Sequence, residues 1–253
     1  MKMMVAVGAG FLALGAVASP VTNTVSTALC GDVRVVSDDP RGWKFALSSQ
    51  KVCEGIEEVT VKISSPEESV PPEMILSFDY NGAKVRNVWT ADYSKDYPRL
   101  WPALWNPWRG SSQLACEIPL TVAIDGNNNS HLAVACSDAF NKADFGIIVK
   151  ERTGDLIYRF RLFNVEASPR KDYSVKFRID TRVQYFGSAV SSASEWICKT
   201  SSLVPAPVPE DALEPLYSTW YAYLQDVKAP ELEREAKLAA DLGMKTMILD
   251  DGW

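Results

Sequence analysis

Val59-Thr60-Val61-Lys62-Ile63-Ser64 alternates an apolar with a polar side chain at every step. Successive side chains on a strand point to opposite faces, so this spacing predicts a half-buried β-strand with Val59, Val61 and Ile63 turned inward. The same beat recurs where Met74, Leu76, Phe78 and Tyr80 alternate with Ile75, Ser77 and Asp79. It returns where Tyr173, Val175, Phe177 and Ile179 alternate with Ser174, Lys176, Arg178 and Asp180. Between such runs stand Asn81-Gly82, Asp125-Gly126 with three asparagines, and Thr153-Gly154-Asp155. These residues tolerate the positive φ of tight hairpins, joining 120–124 to 131–135 and 145–149 to 156–162. Short strands and turns from about residue 30 to 200, with no long amphipathic helix read among them, predict a mainly β chain built as a two-sheet sandwich.

Length and charge bound the rest. The 253 residues, 47% hydrophobic and 23% charged, suffice for one large domain or one domain plus a piece of another. A net charge of −6 with no cluster of Lys or Arg excludes a nucleic-acid partner, because phosphate binding needs a concentrated basic face. At the start, Lys2 precedes an apolar Gly/Ala-rich run ending Ala16-Val17-Ala18-Ser19. The small-x-small ending and a length short of the ~20 residues of a spanning helix predict a signal peptide over 1–18, hence export to periplasm or medium. No membrane attachment is expected after its removal.

The five cysteines (Cys30, Cys53, Cys116, Cys136, Cys198) show no C-x-x-C spacing. They are read mostly as small buried side chains, with at least one free thiol. His131, the single histidine, follows Asn127-Asn128-Asn129-Ser130 and is expected at a surface turn. One histidine rules out a multi-histidine metal site, and neither metal nor cofactor is expected.

Composition shifts at Ser201-Ser202-Leu203-Val204-Pro205-Ala206-Pro207-Val208-Pro209. Three alternate prolines can neither donate to a ladder nor continue a helix, so a linker is placed at 201–214 between a sandwich over 19–200 and a second domain over 215–253. There the period changes. Residues 216–223 read as an aromatic β-type run. Pro230 suits a first helical residue, Glu231, Glu233 and Glu235 favour a helix N-terminus, and Leu232, Ala236, Ala239 and Ala240 share one face. Gly243 suits the C-terminal cap, and 244–249 reads as a buried parallel strand. Strand, helix and strand in succession make a βαβ unit. The tip of its second strand carries Asp250-Asp251-Gly252-Trp253.

Tyr217-Ser218-Thr219-Trp220-Tyr221-Ala222-Tyr223, Gln225-Asp226-Val227, the Glu-rich helix, Leu242-Gly243-Met244 and Ile248-Leu249-Asp250-Asp251-Gly252-Trp253 together resemble the opening of the catalytic barrel in the melibiase-like α-galactosidases, glycoside hydrolase family 36. The resemblance implies an N-terminal β-sandwich of the supersandwich kind, followed by the first βαβ unit of a (β/α)₈ TIM barrel truncated after its second strand. It implies retaining hydrolysis of terminal α-linked galactose by two carboxylates from later strands, so that no catalytic residue falls within this chain. It assigns three substrate-binding residues: Trp220 as a wall of the galactose subsite, with Asp250 and Asp251 accepting hydrogen bonds from sugar hydroxyls. Trp253 would support the turn. The implied partners are an α-galactoside oligosaccharide and, for the full-length protein, a homo-oligomer.

Two other readings compete. A raffinose-synthase-like galactosyltransferase opens its barrel with a similar Asp-Asp-Gly-Trp, although Tyr217-Ser218-Thr219-Trp220-Tyr221 looks closer to the hydrolase. A non-catalytic carbohydrate-binding sandwich would leave the apolar faces of 209–253 exposed. Trp89, Trp101, Trp105 and Trp108, set among prolines, suit either sugar stacking or packing on a neighbouring domain.

Overall fold

The computed structural model describes residues 19–91, 108, 110–113, 116–165 and 167–252, so the predicted leader over 1–18 and Trp253 lie outside the described residues. The chain divides into two compact units, Met1–Leu203 and Val204–Trp253.

In the first unit the strands are β1 (Val21–Thr27), β2 (Gly31–Ser37), β3 (Lys44–Cys53), β4 (Ile56–Ser69), β5 (Met74–Tyr80), β6 (Asn87–Trp89) and β7 (Gly110–Ser112). They continue as β8 (Leu120–Ile124), β9 (Asn129–Cys136), β10 (Ala143–Val149), β11 (Leu156–Leu162), β12 (Arg170–Asp180) and β13 (Gln184–Tyr185), ending in helix α1 (Phe186–Thr200). One sheet runs β1-β2-β5-β11-β10-β7 and the other β3-β4-β12-β9-β8-β6, with β13 beside β9. All these pairings are antiparallel. The Asp125-Gly126 turn joins β8 to β9 and Thr153-Gly154-Asp155 joins β10 to β11, with Asn128 and Gly154 at positive φ.

Period-two burial holds. Val59, Val61 and Ile63 of β4 and Val175, Phe177 and Ile179 of β12 face Leu76 and Phe78 of β5 and Tyr158 and Phe160 of β11 in one shared core. Phe160 and Phe177 meet edge to face across the sheets at 5.4 Å, and Phe78 stacks on Tyr158 at 5.3 Å. Such pairs fix registry beyond the area they bury.

The expectation of no long helix before residue 200 is corrected by α1. Phe186, Ala189, Val190, Ala193, Trp196 and Ile197 recur at helical spacing, and the stripe packs on Leu120, Val122 and Ile124 of β8 and Ala133 and Ala135 of β9. Serines at 188, 191, 192 and 194 fill the other face and disguise the helix as turn-like sequence. Their own helix propensity is modest, so burial of the stripe decides the conformation. Polar side chains anchor it. The Trp196 indole N–H donates to Glu58 at 2.8 Å, Lys176 pairs with the other Glu58 oxygen at 3.1 Å, and Arg178 donates to the Ser192 hydroxyl at 2.9 Å.

The edges of the two sheets meet at β1 and β3. Asn23 donates its amide to the Phe45 carbonyl, and Ser49 donates its hydroxyl to the Ser26 carbonyl, both at 3.1 Å. Beyond the end of β1, the backbone N–H groups of Ala28 and Leu29 donate to the Glu57 carboxylate at 3.1 and 2.9 Å. Glu57 occupies an inward position of β4 and is only 6% exposed.

The second unit opens with Val204–Pro209, where Val204 and Val208 are 90% and 64% exposed. Glu210–Leu213 then form a 3₁₀ turn inside the span expected to be linker throughout. The run 216–223 is not one strand. It splits into β14 (Leu216–Ser218) and the single turn α2 (Trp220–Tyr223), because Thr219 takes helical dihedrals and its carbonyl accepts the Ala222 and Tyr223 N–H groups. Helix α3 (Ala229–Asp241) follows, with Pro230 at its second rather than its first position, and leads to β15 (Thr246–Ile248). Strands β14 and β15 pair in parallel, Ser218 opposite Ile248. Among the described residues this sheet has two strands, and no barrel is closed by them.

Candidate functional site

The second unit is assembled so that two strand ends share an edge. Gly243, at φ 86°, ends α3: its N–H reaches the Ala240 carbonyl at 2.9 Å, and the Met244 N–H reaches the Ala239 carbonyl at 3.0 Å. This double closure is the Schellman motif that a C-terminal glycine permits. It reverses the chain into β15, where Leu216–Thr246, Tyr217–Met247 and Ser218–Ile248 fall opposite one another. Burial, together with the Glu235 charge, raises the Tyr217 phenol above its ordinary pKa.

Thr219 locks the edge. It is fully buried, its N–H donates to the Ile248 carbonyl at 3.1 Å, and its hydroxyl oxygen accepts the Asp250 N–H at 3.0 Å. Trp220 and Asp250 therefore flank one crossing point. Thr219 carries no motif of its own in the sequence. Its signal was a small β-branched polar residue directly before Trp220, at the place where a strand hands over to a turn.

The two aspartates are held differently. One oxygen of Asp250 accepts the Asp251 N–H at 2.8 Å, and one oxygen of Asp251 accepts the Gln225 side-chain amide at 2.6 Å. Among the described residues, the second oxygen of each is without a hydrogen-bond partner. Asp250 is half-buried and Asp251 exposed. Gly252 sits at φ 104°, and a Cβ placed on it would lie 2.4 Å from the Gln225 carbonyl oxygen, so only glycine fits there. Trp220 is half-buried at the start of α2. Two carboxylates with one spare acceptor each can accept hydroxyl donors from a polyol.

The first unit holds the other sequence candidates. Trp89 lies in β6 and packs against the cluster beneath α1, and the ring of Trp108 lies 4.7 and 4.4 Å from the guanidinium carbons of Arg159 and Arg161. Trp101 and Trp105 lie outside the described residues. His131 lies in β9, in the strand read over 131–135, but is 9% exposed rather than at the surface, because Asp125 gives its ring a partner at 3.0 Å. Asp125 also accepts the backbone N–H groups of Asn129 and Asn127. The Asn129 bond, then the His131 ring, hold this carboxyl far below the ordinary carboxylate range.

All five cysteines are thiols. The expectation that most are buried is corrected: Cys136 is buried, Cys30 and Cys198 are partly so, and Cys53 and Cys116 are exposed. Burial pushes the Cys30 thiol up to about 11, the Thr27 hydroxyl working against it and the Glu57 charge with it. Among the described residues, no group of three or more His, Cys, Asp or Glu side chains is placed to hold a metal ion. No helix among them is long and apolar enough to cross a membrane.

No protein-family model matches the chain, and no curated protein matches it. Among solved structures, one described as a kojibiose phosphorylase from human microbiome is similar over 73% of this chain, at 8% identity and a TM-score of 0.25. The chain spans 21% of that protein's length, and a likeness at this level assigns neither fold nor function. What stands by itself is a mainly β chain of antiparallel sheets, followed by a small parallel unit that presents an aspartate pair at one strand end.

Proposed function

We propose that this chain is the opening part of a retaining α-galactosidase, contributing a β-sandwich and part of the galactose subsite. The observation that supports it is the parallel pairing of β14 with β15, joined at Thr219–Asp250, which sets Trp220 and the aspartate pair around one strand edge. Active sites of (β/α)₈ barrels form at the C-terminal ends of their parallel strands, the edge these residues occupy. In this reading the spare oxygens of Asp250 and Asp251 accept hydroxyls of a terminal galactose. A sugar of the wrong epimeric form would leave them unpaired, which is how such a site would discriminate. The face of Trp220 packs on the apolar C–H side of the ring. Nucleophile and acid/base come from later strands, set about 5 Å apart as retention requires. The 253 residues alone then hydrolyse nothing.

The test is the complete open reading frame assayed on a chromogenic α-galactoside, with the anomer of the first product read by NMR. Release of α-galactose supports the proposal; no turnover, or release of the β-anomer, overturns it. Asp250→Asn and Asp251→Asn should each lower kcat/KM by about ten- to a hundredfold, the worth of a charged hydrogen bond. Export is part of the same proposal. A secreted product beginning near Ser19 supports it, and an intact Met1 in a cytoplasmic product overturns that part.

A further inference from the structure

Gln225 stands where two independent constraints meet. The first is the turn that delivers it. The Asp226 N–H donates to the Tyr223 carbonyl at 3.0 Å, and Leu224 between them has φ 51° and ψ −118°. Those dihedrals are the first central position of a type II′ turn, which glycine dominates because a Cβ is strained there. Leu224 is 58% exposed, so burial of its side chain does little to offset the strain. The second constraint is Gly252, whose missing side chain lets the Gln225 backbone come into contact with the end of the β15 segment. A strained turn and an obligatory glycine, 28 positions apart in sequence, both serve to bring Gln225 beside Asp251, where its amide donates at 2.6 Å.

The donor is neutral, and that matters chemically. A Lys or Arg at this distance would neutralise Asp251 and compete with a sugar hydroxyl for its oxygens. The nearby cation Lys228 is instead paired with Asp226 at 3.2 Å. An amide commits one oxygen of Asp251 and leaves the charge intact on the other.

We infer that Gln225 is the positioning residue for Asp251, holding its carboxylate in the one orientation that leaves the second oxygen to a hydroxyl of the substrate sugar. This rests on the α-galactoside reading for the identity of the sugar, while the hold on Asp251 does not depend on it.

The experiment uses the full-length protein with Gln225→Ala, Gln225→Glu, Asp251→Asn and the double variant Gln225→Ala/Asp251→Asn. Galactose affinity and kcat/KM are measured across pH, each as a ratio to wild type. Gln225→Ala should weaken galactose by about tenfold, the worth of one charge-assisted hydrogen bond. Its effect should shrink in the Asp251→Asn background, where the charge that strengthens the bond is gone and only an amide oxygen is left to position. Gln225→Glu sets a second carboxylate against Asp251. It should lose more than Gln225→Ala at neutral pH and recover as pH falls, when the pair shares one proton and the introduced carboxyl becomes a donor. A merely structural role predicts no acid recovery. Additive losses in the double variant, or a flat pH ratio for Gln225→Glu, overturn the assignment. If the wild type neither binds galactose nor turns over α-galactosides, the functional reading falls, and crystal structures of wild type and Gln225→Ala decide the rest. Asp251 in one conformation with the amide and in several without it supports the assignment; an unchanged Asp251 overturns it.

Discussion

The hydroxyl oxygen of Thr219 accepts the Asp250 backbone N–H at 3.0 Å, joining the ends of two parallel strands 31 residues apart. Thr219 is fully buried, so no water can replace that acceptor. Thr219→Val keeps the shape and removes the oxygen. Hydrogen exchange at the Asp250 amide should then accelerate by about ten- to a hundredfold, the cost of a donor left without its acceptor. Thr219→Ser should retain most of the protection. Equal exchange in both variants would show that the bond does not hold the edge.

Glu57 is another buried acceptor with a specific burden. Glu57→Ala leaves the Ala28 and Leu29 N–H groups without their carboxylate. The loss should be about 1.5–3 kcal/mol. For a unit of this size that corresponds to about 5–10 °C in melting temperature. Glu57→Gln, with one acceptor oxygen and no charge, should fall between. Calorimetry on the three proteins checks the order.

Acid should destabilise the first unit through identifiable carboxyls. The Asn129 N–H and His131 ring hold Asp125 low. Burial works to raise Asp79 and Asp144, but Lys150 and Arg34 beside the first, and Arg161 and Ser111 beside the second, outweigh it and leave both lowered. A carboxyl with a lower pKa folded than unfolded contributes stability above the unfolded value of about 4. That contribution is lost as pH falls toward the folded value. Melting temperature should therefore hold steady down to about pH 5 and drop below about pH 4. Asp144→Asn should be less stable at neutral pH and show a shallower acid drop.

Limited proteolysis should cut first within 204–209, where Val204 and Val208 are largely exposed and three prolines keep the backbone out of any ladder. The first unit should persist as a resistant core. First cleavage inside β4 or β12 would contradict the shared core between the sheets.

Strands with one wet face were legible because alternation is a direct image of the pleat: 59–64, 74–80 and 173–180 were read and found. Strands β8 and β9 carry a different signature, Leu120-Thr121-Val122-Ala123-Ile124 and Leu132-Ala133-Val134-Ala135, buried throughout. Such runs announce a second cover, and α1 is that cover; its serines concealed it. Glu57 and His131 could not be placed from sequence, because each is buried only by virtue of a partner, two backbone N–H groups for one and Asp125 for the other. At the strand edge, the aspartate pair and Trp220 were legible as a motif. Thr219 and Gln225 were not, since their roles arise from contacts across 26 to 31 residues.

The seam between β1 and β3 bears on how this molecule behaves in a crowded solution. A terminal strand normally offers a row of unsatisfied amides to any passing chain, the usual seed of ribbon-like aggregates. Here Val21–Thr27 is uncharged, free of proline and rich in β-branched residues, a composition suited to such recruitment. Asn23 and Ser49 turn the edge toward its own partner sheet, each saturating a carbonyl at the seam. By tying the edge strand to β3 at two carbonyls, these side chains would oppose such recruitment, and their removal is expected to raise self-association.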